Sequence, residues 1–437
     1  MNVRSLFSFL FTFLVISIVG VGLYSFFKDM DGPEVQLVPA SDRVSPQREL
    51  ALKLDDPSGI RSVSVQVRKN NQSQTVAEHH FEQARTHEEF SFSLKNASLR
   101  DGAFDLEIKA VDASLAGFGR GNTRTISLPM RLDSQAPRVS MKQAPPHVRR
   151  GGCATVLYSV NKEVERTGVV LGEHFFPSYK LADGNYLCFF AYPLHMTAKD
   201  YTPELLVEDS AGNMSQSRLA HVPVAINYRQ DSIAISDNFL LAKMPELAHL
   251  APGTNTSLEQ YLYINSKVRA ENVKALYELR KKSSPAILWS GPFIHLPRAA
   301  QRARFGDFRT YTYQGQRVDE QTHMGLDLAS LTHADVPAAN DGKVVFADFM
   351  GIHGNIVVLD HGMGLMSFYS HLSNIAVQLD DLLKKGQILG QTGTSGMAFG
   401  DHLHFGMLMH GFEVQPLEWL DPKWITNNVT NRMKTGQ

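Results

Sequence analysis

The chain has 437 residues, 43% of them hydrophobic and 20% charged, with a formal net charge of −1. That length holds two to four domains at roughly 100–200 residues each. A near-neutral balance leaves none of the basic footprint of a nucleic-acid binder, so no nucleic-acid partner is expected. From Ser5 to Phe27 no residue is charged, and Leu, Phe, Val and Ile dominate. About 20 such residues in a helix cross a bilayer, and the stretch is too long for a signal-peptide core. Arg4 precedes it, while Lys28 is offset by Asp29 and Asp31, which favours the N-terminus inside. Residues 1–32 are therefore expected to form a transmembrane signal anchor (span 5–27). This places the protein in the cytoplasmic membrane, single-pass, with the bulk of the chain on the periplasmic or extracytoplasmic side.

Residues 33–135 and 136–224 read as two β-sandwich modules. Ser62-Val63-Ser64-Val65-Gln66-Val67 alternates strictly, as do Phe90–Leu94 and Phe104–Ile108, so one face meets a core and the other water. The opening Pro33-x-Val35-x-Leu37 recurs as Pro137-x-Val139-x-Met141. The Val111-Asp112-Ala113-Ser114 segment recurs as Val207-Glu208-Asp209-Ser210. These repeats predict two strand-rich units resembling immunoglobulin-like modules, with cell-wall or divisome proteins as the partners such modules would serve. The only cysteines, Cys153 and Cys188, suit a disulfide if exported; the alternative is two buried thiols.

Residues 225–298 form a helical connector. Thr256-x-x-Glu259 is a capping box before a helical run from Ser257 to Lys282, and Tyr261, Ile264, Val268, Leu276 and Leu279 make one apolar stripe for packing.

Residues 299–425 carry the chemistry, and 426–437 form a tail. As a strand, His323-Met324-Gly325-Leu326-Asp327 turns His323, Gly325 and Asp327 to one face; His402-Leu403-His404 does the same for its two imidazoles. Tyr369-Ser370-His371-Leu372 adds another histidine. Two imidazoles and one carboxylate suit an open zinc site with a fourth position for water, whose pKa falls from 15.7 towards about 7. Other imidazoles can then take the proton or hold the oxyanion. Single histidines such as His333, His353, His361 and His410 read as turn or surface residues.

His323-x-x-x-Asp327, Gly362-x-Gly364-x-x-x-x-Tyr369-Ser370-His371-Leu372 and Gly400-Asp401-His402-Leu403-His404-Phe405 together resemble the lysostaphin-like (LytM-type) zinc endopeptidases over about 305–425. The resemblance implies a small antiparallel β domain with a groove. It implies zinc on His323, Asp327 and His404, with His371 and His402 as the non-ligand pair that orients water and stabilises the tetrahedral intermediate. The implied substrate is the stem peptides or cross-links of bacterial peptidoglycan; the alternative is a non-enzymatic regulator of cell-wall amidases. One departure is Gly406, where the family often has Glu. The fold expected overall is multidomain and mostly β: anchor, two sandwiches, helical connector and β metallopeptidase domain.

Overall fold

A computed structural model describes residues 3–27, 29–70 and 72–434. Lys28 and residues 435–437 of the expected tail lie outside them. The chain divides into two compact units. One comprises Met1–Arg138 with Lys162–Arg166 and Val207–Ser215, the other Val139–Asn161, Thr167–Leu206 and Gln216–Gln437.

The membrane expectation is corrected. Val3–Phe27 is a helix. Among the described residues no helix is long and apolar enough to cross a membrane. The transmembrane anchor, the membrane as a partner and the single-pass placement in the cytoplasmic membrane fall with it.

In the first unit, a five-stranded sheet and a three-stranded sheet share one core. The alternation read from Ser62–Val67 is realised in strand Ile60–Lys69, where Val63, Val65 and Val67 are buried. They meet Leu52 and Leu54 of Leu50–Asp55 and Leu106 and Ile108 of Gly102–Asp112. At the end of this last strand Asp112 Oδ1 accepts the backbone N–H groups of Ser114 and Asn122, closing the loop on itself.

In the second unit, strands Cys153–Val160 and Tyr186–Ala191 pair antiparallel. The disulfide is corrected here: Cys153 and Cys188 are both buried free thiols. Cys153 lies opposite Ala191 and Cys188 opposite Val156. An offset of three residues is roughly 10 Å along a strand and turns the two side chains to opposite faces. A disulfide tolerates a Cα separation of only about 7 Å.

The connector is less uniformly helical than its sequence suggests. It opens on strand Gln230–Ile235, which pairs in parallel with Phe308–Tyr313. After helix Asp237–Leu247 comes Ser257–Tyr263, with the Thr256–Glu259 capping box formed. A π turn at Ile264–Val268 then interrupts the run before Arg269–Glu278. Tyr261, Ile264, Val268, Leu276 and Leu279 are all buried. Leu276 and Leu279 pack on Ile356, Val358, Phe368 and Leu408 of the C-terminal sheet.

That sheet is eight-stranded. Its order runs Ala300–Ala303, Leu326–Ala329, Leu403–Met409, Leu365–Leu372, Asn355–Gly362, Gly342–Phe349 and Leu382–Leu383, with Phe412–Val414 added beside Leu403–Met409. Gly406 lies in its middle, and a Cβ there would sit 2.0 Å from Phe368 Cζ. The phenylalanine ring fills the space that a Glu at this position would need.

Candidate metal centre

Register alone brings the acid and base residues together. Strand Leu403–Met409 is central, and His404 faces Asp327 on one neighbouring strand and Ser370 on the other. His323 arrives differently from the single strand its sequence suggested. The chain leaves strand at Thr322 and re-enters at Leu326, so His323 sits on the connecting bend. Gly325 in that bend is required by close approach, because a Cβ would lie 2.6 Å from His404 Nε2.

His323 Nε2 lies 2.8 Å from Asp327 Oδ1 and 3.0 Å from His404 Nδ1, and that nitrogen is 3.0 Å from Asp327 Oδ1. Three ligands held tetrahedrally at about 2.0–2.1 Å from zinc would be roughly 3.3 Å apart, so this donor set fits such an ion. The opposite nitrogen of His323 donates to the Arg304 carbonyl at 2.9 Å, which leaves the Nε2 lone pair facing the centre.

His371 and His402 stand beside this triangle, with ring centroids 4.9 Å apart. Each donates from Nδ1 to a backbone carbonyl, His371 to Ser395 (2.8 Å) and His402 to Gly400 (2.7 Å). Their Nε2 atoms are therefore free for the site, and that of His402 lies 3.5 Å from Asp327 Oδ1. His371 has a left-handed backbone (φ +64°). It falls where the pairing of Asn355–Gly362 with Leu365–Leu372 loses register, and such an irregularity re-aims a side chain.

Burial pushes the His404 imidazole down to about 4, against the pull of Asp327. Burial likewise holds His371 well below its usual value, helped by the neighbouring His402 and His404. Both rings are neutral at pH 7. Burial opposes ionisation of Asp327, but His323, His402 and His404 outweigh it and hold the carboxyl well below the usual range. For His402 burial again works against the charged form, yet the contact with Asp327 wins and raises its pKa.

These residues line a cavity of about 680 Å³. Sequence reading missed several of its other walls. Arg309, on strand Phe308–Tyr313, donates to Asp327 Oδ2. Tyr261, Asn265 and Arg269 of the connector face the same cavity, so the helix taken as pure packing also shapes the site. His353, His361 and His410 are corrected from turn or surface residues to buried ones. His353 binds Ser370 Oγ and His361 binds Ser367 Oγ. His333 is exposed, as its sequence context suggested.

The model for peptidase family M23 matches residues 321–416. The C-terminal region is a distant relative of the M23 peptidases. At 33% identity over 95 residues it resembles the DD-carboxypeptidase/endopeptidase Mpg of Neisseria meningitidis, covering 22% of each chain. It is 34% identical over 96 residues to the peptidoglycan DD-endopeptidase ShyA of Vibrio cholerae, again 22% of each. It also resembles the murein hydrolase activator EnvC of Escherichia coli, 30% identical over 110 residues, 25% of this chain and 26% of that one. The chain thus spans about a quarter or less of the length of these three relatives. Among solved structures, a putative peptidase M23 from Pseudomonas aeruginosa aligns at 18% identity over 62% of this chain and 94% of that one (TM-score 0.40). The lysostaphin catalytic domain of Staphylococcus simulans aligns at 26% identity over 29% and 98% (TM-score 0.25). Every residue of the M23 constellation, from His323 to His404, falls within the matched segment; Arg269 and Arg309 lie before it.

Proposed function

We propose that the protein is a zinc-dependent endopeptidase that cleaves peptide bonds in bacterial peptidoglycan, with 299–425 as the catalytic domain. The observation that carries this reading is the meeting of His323, Asp327 and His404 within 3.0 Å of one another, beside two further imidazoles, on one cavity. Zinc, when bound, supplies a Lewis acid that polarises the scissile carbonyl and makes a water acidic enough to attack it.

The chain's own residues do the rest. His323 and His404 offer ring nitrogens, and Asp327 offers Oδ1 while Arg309 binds Oδ2. His402, whose Nε2 lies beside Asp327, takes the proton of the attacking water and passes it to the leaving amine. His371, kept neutral by burial and with its Nδ1–H given to Ser395, presents an Nε2 lone pair that accepts from the attacking water and orients it, and the Nε2–H that His402 gains with the proton stabilises the oxyanion. The carbonyls of Ser395 and Gly400 fix both rings, so little reorganisation is needed during the step.

The test is digestion of purified sacculi by the full-length, zinc-loaded protein, with the products resolved by mass. New stem-peptide or cross-link fragments that vanish with chelator and with His404→Ala are expected. Zinc binding without any cleavage, together with stimulation of a cell-wall amidase, would replace this reading with the activator role named for EnvC.

A further inference from the structure

The cavity contains a guanidinium, that of Arg269, with no ion-pair partner among the described residues. Arg269 opens helix Arg269–Glu278, directly after the π turn. That turn frees the Asn265 carbonyl, which accepts from Arg269 Nε (3.1 Å) and from Gln321 Nε2 (3.0 Å). Arg269 Nη2 donates to Asn265 Oδ1. Among the described residues, Nη1 has no hydrogen-bond partner and Arg269 has no ion-pair partner. The two nearby carboxyls, Asp319 and Glu413, favour its charge from outside ion-pair distance. Asp319 is engaged by Asn265 Nδ2 at 2.6 Å, and burial pushes the Glu413 carboxyl up to about 7, against the Arg269 charge. Desolvation in the cavity works against the Arg269 charge, so a guanidinium there without an ion pair gains from an anion that arrives from outside.

Its position is fixed. Asn272, one turn along, accepts the Ile352 N–H at 2.9 Å and pins the helix to the Gly351–His353 turn. His353 in that turn is 6.0 Å from His404, centroid to centroid. Arg269 and the metal donors line one cavity. An anion that reaches Arg269 there belongs to the molecule being cleaved.

We propose that Arg269 binds a free carboxylate flanking the scissile bond of the substrate peptide. This deepens the peptidase reading above and rests on it. Bonds inside a linear chain of neutral residues offer no such group. A bond to a C-terminal residue offers one, as does a cross-link on the amine of a diamino acid that sits beside that residue's own free carboxylate. The preferred substrate class is therefore the carboxylate-flanked amide, and a Gly–Gly bridge is a poor substrate.

The experiment uses the full-length zinc-loaded protein and two cross-linked muropeptides that differ only in whether the flanking carboxyl is free or a carboxamide. A charge-assisted contact predicts a kcat/KM roughly 10- to 100-fold lower for the amide. Arg269→Gln should lose a similar factor on the free acid and none on the amide, while Arg269→Lys keeps part of the preference. Equal rates on the two peptides with wild type overturn the proposal; so does an unchanged preference in a folded Arg269→Gln. Should that variant not fold, judged by thermal melting, the wild-type comparison decides alone. Equilibrium binding of both peptides to zinc-free wild type separates the two ideas. Preference for the acid without cleavage sinks the peptidase reading and leaves the carboxylate site, whereas equal affinity and equal rates sink the site alone.

Discussion

Arg309 Nη2 donates to Asp327 Oδ2 at 3.0 Å, while Asp327 Oδ1 faces His323 and His404. The carboxylate is thus held by one oxygen and left to the metal by the other. Partners of this kind fix a ligand's orientation, and losing one typically costs roughly 10- to 100-fold in metal affinity. Arg309→Met should weaken zinc by about that factor without unfolding the protein, as read by competition with a chelating dye. Undiminished affinity would show that strand pairing alone positions Asp327.

His371 and His402 should be separable from the ligands. His402→Ala and His371→Ala are expected to keep stoichiometric zinc while kcat falls about 10²- to 10⁴-fold, the usual range for a lost proton-transfer or oxyanion group. His404→Ala should lose the metal itself. Metal content by elemental analysis, set beside turnover, distinguishes the cases; zinc loss in His402→Ala would make it a ligand.

Gly325 has no side chain because the His404 ring is already there. Gly325→Ala puts a methyl 2.6 Å from His404 Nε2, so the ring must move and the donor triangle opens. Zinc affinity should drop by at least about tenfold, in line with disturbance of a ligand's support. The surrounding sheet should melt at nearly the wild-type temperature. A loss confined to stability, with full metal affinity, would contradict this.

Glu418 gives the fold a pH dependence away from the metal. Its carboxyl is buried, accepts the Cys153 N–H at 2.8 Å, and is pushed from 4.5 up to about 8, chiefly by burial. A folded-state value above the unfolded one means that its share of stability is full below about 4.5 and is lost as the pH rises through about 8. Between pH 7 and pH 9 this amounts to about 1 kcal/mol. Melting temperature should fall over that interval in wild type and fall less in Glu418→Gln. Identical slopes would rule Glu418 out as the source.

Much of the site was legible because strand alternation and metal-ligand chemistry are local. His402 and His404 are two residues apart, and Asp327 meets His404 directly across the sheet. The same alternation found Val63, Val65 and Val67 in the core. The misses have physical causes too. Arg309 reaches Asp327 from a strand whose neighbour, Gln230–Ile235, was hidden in a segment read as helical. The buried state of His353 and His361 depends on serine partners 17 and 6 residues away, which periodicity does not reveal. Cys153 and Cys188 were paired by count, whereas their register sets them three positions out of step. The apolar stretch at the N-terminus was read from composition, and no membrane span is found among the described residues.

The π turn at Ile264–Val268 makes the connector a vernier. An α-helix advances about 100° per residue, and a π turn absorbs one extra residue without rotating the next helical segment out of line. Upstream, Tyr261 and Ile264 stay in their own core while, downstream, Asn272 stays on the 351–353 turn and Arg269 stays on the cavity. Removing a single residue from 264–268 would straighten the helix and keep its helicity. Both flanks would keep their facing, but the Asn265 carbonyl that the π turn frees for Arg269 would be taken back into the helix, so that one extra residue in the segment, as much as its composition, tunes which peptides the cavity accepts.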